Sequence, residues 1–89
     1  MNKIGIVMNP ISEINFTKDS TLLLMHELQN QDKELFYINK DDLFFSNQTP
    51  MAMCQKVNVF MNENKWFDLQ PLQKIELTSL DLILMRQDP

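Results

Sequence analysis

Five residues near the amino terminus constrain this chain more than any others: Ile4-Gly5-Ile6-Val7-Met8, a continuous apolar run halted by Asn9-Pro10. The run does not alternate with polar residues, so neither side of it suits water, and it reads as a strand covered on both faces. Proline lacks the N–H a ladder needs and biases the residue before it away from helix, so the strand stops at Asn9. A second run, Leu82-Ile83-Leu84-Met85, has the same character and predicts another buried strand ending at Arg86. Buried parallel strands belong to α/β sheets, whose ligands bind outside the carboxyl ends of the strands. Two polar segments occupy that position, residues 9–20 and residues 86–89.

Between these runs the pattern alternates helix and strand once, then changes. A helix starts near Asp19, with Thr17, Asp19 or Ser20 as its cap. Leu24 and Leu28 lie one turn apart, Thr21 and Met25 extend their apolar side, and His26, Glu27 and Gln29 fall on the polar remainder. Leu35 to Ile38 is a second strand, which gives a β-α-β opening. Residues 39–42 form a turn and Leu43-Phe44-Phe45 a short strand. A further turn over residues 47–50 leads into Met51–Phe60, where Met51, Met53, Gln55, Val57 and Val59 share one face. This is a hairpin-like excursion from an otherwise parallel sheet. Trp66-Phe67 and Leu69 form a short strand limited by Pro71, and residues 76–80 a single helical turn. The expected fold is α/β: a Rossmann-like, three-layer open sheet, mostly parallel. Ending on Asp88-Pro89 with no helix to cover the last strand, the chain reads as truncated at its carboxyl end.

Composition removes several classes of function. The 89 residues are 44% hydrophobic and 22% charged, as in ordinary globular domains. The formal charge is -4, the eight basic residues are scattered and no arginine precedes Arg86. Nucleic-acid binding needs clustered cations, so no such partner is expected. Cys54 is the single cysteine, which excludes an intrachain disulfide and a cysteine metal cluster. No apolar stretch approaches the length needed to cross a bilayer, and the amino terminus lacks a signal-peptide pattern. The expectation is a cytoplasmic protein with no membrane partner.

The chemistry-bearing candidates cluster at the strand ends. Asn9, Ser12, Asn15, Thr17, Lys18, Asp19 and Ser20 fall in one loop and the start of a helix, where free backbone amides favour an anion or carboxylate. At the end of its apolar strand, Arg86 can grip a carboxylate with two parallel hydrogen bonds. It can equally form a structural ion pair with Asp81 or Asp88, and the pattern does not choose. For Lys18 and Ser20 the plainer reading is a solvated lysine and a capping serine, and for Asn9 a turn residue. His26 has no neighbouring ligand set, and Cys54 has no histidine base beside it, so a buried or half-buried thiol is expected rather than a nucleophile. Trp66 and Phe67 read as core. No glycine-rich phosphate loop exists, because Gly5 lies inside a strand.

GIVMNPI at residues 5–11 and LMRQDP at residues 84–89, with KDS at 18–20, VNV at 57–59 and Trp66-Phe67 between them, resemble the amino-terminal domain of prokaryotic glutathione synthetases. The resemblance runs from Met1 to Pro89. It implies that the chain is the incomplete, substrate-side (pre-ATP-grasp) domain of an ATP-grasp ligase. The parent enzyme would join glycine to γ-glutamylcysteine with cleavage of ATP to ADP and phosphate through an acyl phosphate. It would use Mg2+, or Mn2+, and assemble as a homotetramer. ATP and metal sites lie in other parts of such enzymes, so no catalytic, cofactor-binding or metal-binding residue is expected here, and residues 1–89 alone are expected to be inactive. Carried over by position, Arg86 matches a substrate-carboxylate contact, Lys18 and Ser20 approach the same ligand, and Asn9 and Asp88 stand beside it. Asn9 replaces the family's usual aspartate and Gln87 its usual lysine. Two other readings compete: a different ATP-grasp amino-acid or peptide ligase, and a non-catalytic binding module. A phosphate-receiving signalling domain fits less well, since the acidic pair expected near the end of the first strand is missing.

Overall fold

A computed structural model describes residues 2–86. The first apolar run is the centre of the fold. Strand β1 (Lys3–Met8) is buried from Ile4 through Met8. It lies parallel to β2 (Glu34–Asn39) on one side and to β7 (Leu82–Arg86) on the other. Helix α1 (Ser20–Asn30) makes the crossover between β1 and β2. Asp19 caps it, its side chain accepting from the Thr21 N–H at 2.7 Å. Thr21, Leu22 and Met25 are buried and Leu28 packs beside them. The inward stripe therefore contains Leu22, while Leu24 is only half-buried. Three consecutive leucines at residues 22–24 leave the helical phase ambiguous, and contact with the sheet resolves it.

The expectation of a mostly parallel sheet is corrected beyond β2, where no second helix carries the chain back over the sheet. A 3-10 turn (Lys40–Asp42) leads instead into the hairpin of β3 (Leu43–Ser46) and β4 (Thr49–Val59). A strand reached without a crossover must run against its neighbour, and β4 pairs antiparallel with β2, β3, β5 (Phe67–Leu69) and β6 (Gln73–Glu76). The sheet is mixed, in the order β3-β4-β2-β1-β7, with β5 and β6 joined to β4. Among the described residues α1 is the one α-helix, so a three-layer Rossmann-like arrangement is not formed by them alone. Asn47 and Gln48, with φ of 52° and 65°, make the hairpin loop. It is a two-residue turn of the kind that matches strand twist, and β4 begins at Thr49 rather than after Pro50.

Strand β4 spans eleven residues and changes partners along its length. β3 and β6 flank residues 49–54, and β2 and β5 flank residues 55–59. Its alternation, legible in the sequence, distributes it between two cores. Val57 and Val59 join Ile4, Ile6, Met8, Leu22, Met25 and Leu35 beneath α1. Ala52 and Cys54 join Val7, Phe36 and Ile38, covered by Leu43, Ile75, Leu77 and Leu80. Burying each of the larger side chains contributes about 1.5–3 kcal/mol relative to exposure. Leu77 and Leu80 come from the predicted helical turn, a 3-10 segment at Leu77–Ser79. β7 is a strand as expected but is not buried: Leu82, Ile83 and Met85 are 48%, 38% and 63% exposed. Among the described residues it is an edge of the sheet, with β1 its one strand neighbour.

Candidate functional site

Because β1 and β7 are parallel neighbours with Met8 opposite Arg86, their carboxyl ends open side by side. The chain leaving β1 turns through residues 9–19 and returns to the same edge at the amino terminus of α1. Between these pieces lies a cleft of about 600 Å³. The loop contributes Asn9, Glu13, Ile14, Asn15, Lys18 and Asp19 to its lining, helix α1 contributes Ser20 and Thr21, and β7 contributes Arg86. Sequence reasoning nominated Asn9, Lys18, Ser20 and Arg86, and all four line this cleft. Asp88, and Gln87 with it, lie outside the described residues. Ser12 is exposed and lines no part of it, and Thr17 lines an adjoining groove of about 260 Å³ with Phe16, Leu23 and Met61.

The structure decides between the two readings of Arg86 as far as Asp81 is concerned. Arg86 Nη2 donates to Ser20 Oγ at 3.0 Å and Nε donates to Thr21 Oγ1 at 3.3 Å. Asp81 stands at the opposite end of β7, where its carboxylate accepts from the Lys3 N–H at 2.9 Å. That bond holds its carboxyl below the usual carboxylate range. The guanidinium is therefore clasped by two hydroxyls rather than neutralised by Asp81. Ser20 is not the helix cap; Asp19 is, which leaves the Ser20 hydroxyl for Arg86. Thr21 was missed as a site residue, since its place on the buried side of the helix made it read as packing. Its 65-residue separation from Arg86 left no local signal.

The expectation of free backbone amides in the loop needs correction. Thr17 N–H donates to Asn15 Oδ1 at 3.1 Å, and the Lys18 and Asp19 N–H groups donate to the Asn15 carbonyl at 3.1 and 2.9 Å. Thr21 N–H is taken by Asp19. The loop satisfies these donors itself, because short asparagine side chains form turns of this kind readily. The side chains of Arg86 and Lys18 bring positive charge to the cleft. Glu13 and Asp19 bring carboxylates to the same space, so the lining carries both signs.

Elsewhere, Cys54 is 1% exposed, and burial pushes its thiol pKa up, which disfavours the thiolate a nucleophile needs. His26 lies beside Asn30 on the helix, 3.5 Å from its amide. Among the described residues no group of three or more His, Cys, Asp or Glu side chains could hold a metal ion, and none of their helices is long and apolar enough to cross a membrane. The one glycine lies inside β1, so the sequence holds no glycine-rich phosphate loop.

Comparison with known proteins places the chain among relatives. Residues 2–89 match the family described as prokaryotic glutathione synthetase, N-terminal domain. Over all 89 residues the chain is 43% identical to a glutathione synthetase of Citrobacter rodentium, 42% to that of Escherichia coli (strain K12) and 40% to that of Salmonella typhimurium. In each case the whole of this chain is covered and 28% of the relative, so the chain spans 28% of the length of these curated relatives.

Proposed function

We propose, from the premise that this chain belongs to the N-terminal domain family of prokaryotic glutathione synthetases, that its cleft forms one wall of the peptide site of a glutathione-forming ligase. The reaction of the whole enzyme joins glycine to γ-glutamylcysteine, with ATP cleaved to ADP and phosphate through an acyl phosphate on the dipeptide. ATP, Mg2+ and the phosphoryl chemistry belong to other parts of that enzyme, and no chemical step is assigned to residues 2–86. The same reading makes the enzyme cytoplasmic and homotetrameric.

One observation carries the reading: the Arg86 guanidinium, held by Ser20 and Thr21, in the wall of a cleft at the strand carboxyl ends. Two of its five N–H donors are used by the hydroxyls, and the others suit a carboxylate. Because the fork is already held, little side-chain freedom is lost when a ligand arrives. A dipeptide carries carboxylates and an ammonium group, and a lining that pairs Arg86 and Lys18 with Glu13 and Asp19 complements both charges. Lys18 and Ser20 then serve as substrate-side residues, the serine acting through Arg86, and Asn9 borders the same space.

Arg86→Ala in the full-length enzyme is expected to raise KM for γ-glutamylcysteine by roughly 10- to 100-fold, the loss of a charged hydrogen bond, and to leave KM for ATP unchanged. Arg86→Lys, which keeps the charge and loses the fork, should fall between. Unchanged dipeptide kinetics in Arg86→Ala would overturn the assignment.

A further inference from the structure

Part of the cleft's lining is carried by the loop after β1, whose Ile14 and Phe16 pack against the core and whose polar ties to the rest of the fold meet at one residue. Ile11 is 2% exposed, and each of its backbone polar groups meets an aromatic side chain from a distant part of the chain. Trp66 Nε1 donates to the Ile11 carbonyl at 3.0 Å, and the Ile11 N–H donates to Tyr37 Oη at 3.3 Å. Both aromatic residues are themselves fixed. Tyr37 sits in β2 between β1 and β4, paired with Ile6 and Gln55. The Trp66 carbonyl accepts from the Phe60 N–H at 2.9 Å, and its ring lies 5.9 Å from those of Phe16 and Phe67. Among the described residues, the hydrogen bonds of residues 13–19, by contrast, stay within residues 10–21. The polar ties of this loop to the rest of the fold therefore converge on Ile11, two residues from Asn9 and Glu13 in the cleft wall.

The geometry points to Trp66 and Tyr37 as positioning residues for ligand binding: through Ile11 they set where the Asn9–Asn15 wall stands relative to Arg86. Neither lines the cleft, and each satisfies one buried backbone group of Ile11. A buried carbonyl or N–H that loses its partner seeks another, and the loop is the part free to move. The inference rests on the proposed peptide site and names the residues that shape it.

The test uses the full-length enzyme with Trp66→Phe and Tyr37→Phe, which keep an aromatic ring in place and remove the N–H or the hydroxyl. Arg86→Ala is measured beside them. Each aromatic variant should raise KM for γ-glutamylcysteine by roughly three- to tenfold, the weight of one hydrogen bond, with kcat and KM for ATP close to the parent. Amide hydrogen exchange over residues 11–19 should quicken in the absence of ligand. A purely structural role would lower thermal stability and leave KM of the folded enzyme where it was. Unchanged dipeptide KM in both variants overturns the positioning role. If Arg86→Ala still raises that KM, the peptide-site reading survives; if it does not, both fall together.

Discussion

The side-chain amide of Gln29 closes both backbone valences of Val59: Nε2 donates to the Val59 carbonyl at 2.9 Å and Oε1 accepts from the Val59 N–H at 2.8 Å. Val59 is the last residue of β4 and is 1% exposed, so these groups have no ready access to water. A helix residue thus continues the sheet's hydrogen bonding and ties α1 to β4. Gln29→Leu should lower stability by about 2–3 kcal/mol, the cost of leaving buried polar groups unpaired. Gln29→Glu, which keeps the acceptor but sets a carboxylate oxygen against the Val59 carbonyl, should also lose stability at neutral pH. Urea denaturation measures both, and a Gln29→Leu midpoint equal to the parent's would mean that water replaces the amide.

Gly5 is needed for space rather than for an unusual backbone. A methyl at this position would stand 2.6 Å from Leu80 Cδ1 and 3.1 Å from Ile38 Cδ1. Gly5→Ala is expected to destabilise by about 1–3 kcal/mol through overpacking. Leu80→Val in the same chain should recover part of that loss, since the crowding atom is the end of a flexible side chain. The measurement is a double-mutant cycle, and additive losses would show that Leu80 is not what the methyl meets.

The β3–β4 hairpin stores strain at Gln48, a side-chain-bearing residue at φ 65°. Gln48→Gly relieves it and creates the Asn-Gly pair favoured in such turns. A gain of about 0.5–1 kcal/mol is expected in thermal or urea unfolding. Gln48→Val should move stability the other way, because a β-branched residue tolerates positive φ poorly.

Two carboxylates define the acid limb of stability. The Lys3 N–H lowers the Asp81 pKa from its ordinary 3.8, and the Lys56 ammonium, bonded at 2.9 Å, lowers that of Glu34 from 4.5. A depressed folded pKa means stabilisation that is complete above the unfolded value and lost as pH falls through the folded one. Asp81→Asn and Glu34→Gln should therefore be less stable than the parent at neutral pH, and the gap should close as pH falls through the lowered pKa values. The Glu34 effect should be small and shrink with salt, since both side chains of the pair are 40% or more exposed. A gap that does not narrow anywhere on the acid side would argue against these two groups.

Local patterns located most elements because each depends on nearby residues. The Ile4–Met8 strand, the start of the helix near Asp19, the strand over residues 35–38 and the alternation of β4 all follow from composition and period, whereas the choice of Asp19 over Thr17 and Ser20 as the cap does not. β6 was not legible: Gln-Lys-Ile-Glu holds one apolar residue, and it becomes a strand by pairing with Met51–Cys54. The candidate site was half legible. Asn9, Lys18, Ser20 and Arg86 stand out as polar groups at strand ends, whereas Thr21, Tyr37 and Trp66 read as packing. Their hydrogen bonds span 65, 26 and 55 residues, and no local period encodes such a partner.

By itself, then, the sequence determined where most of the strands and the helix lie and which family the chain belongs to, since each depends on residue types in fixed order. Only the tertiary structure decided the direction and burial of the strands. β4 runs against β2 because no helix returns the chain, and β7 is exposed because it has a single strand neighbour among the described residues. It also decided the state of Arg86. Whether a guanidinium meets Asp81 or two hydroxyls depends on which strand end faces which helix end, a relation set by the packing of β7 and α1 against β1.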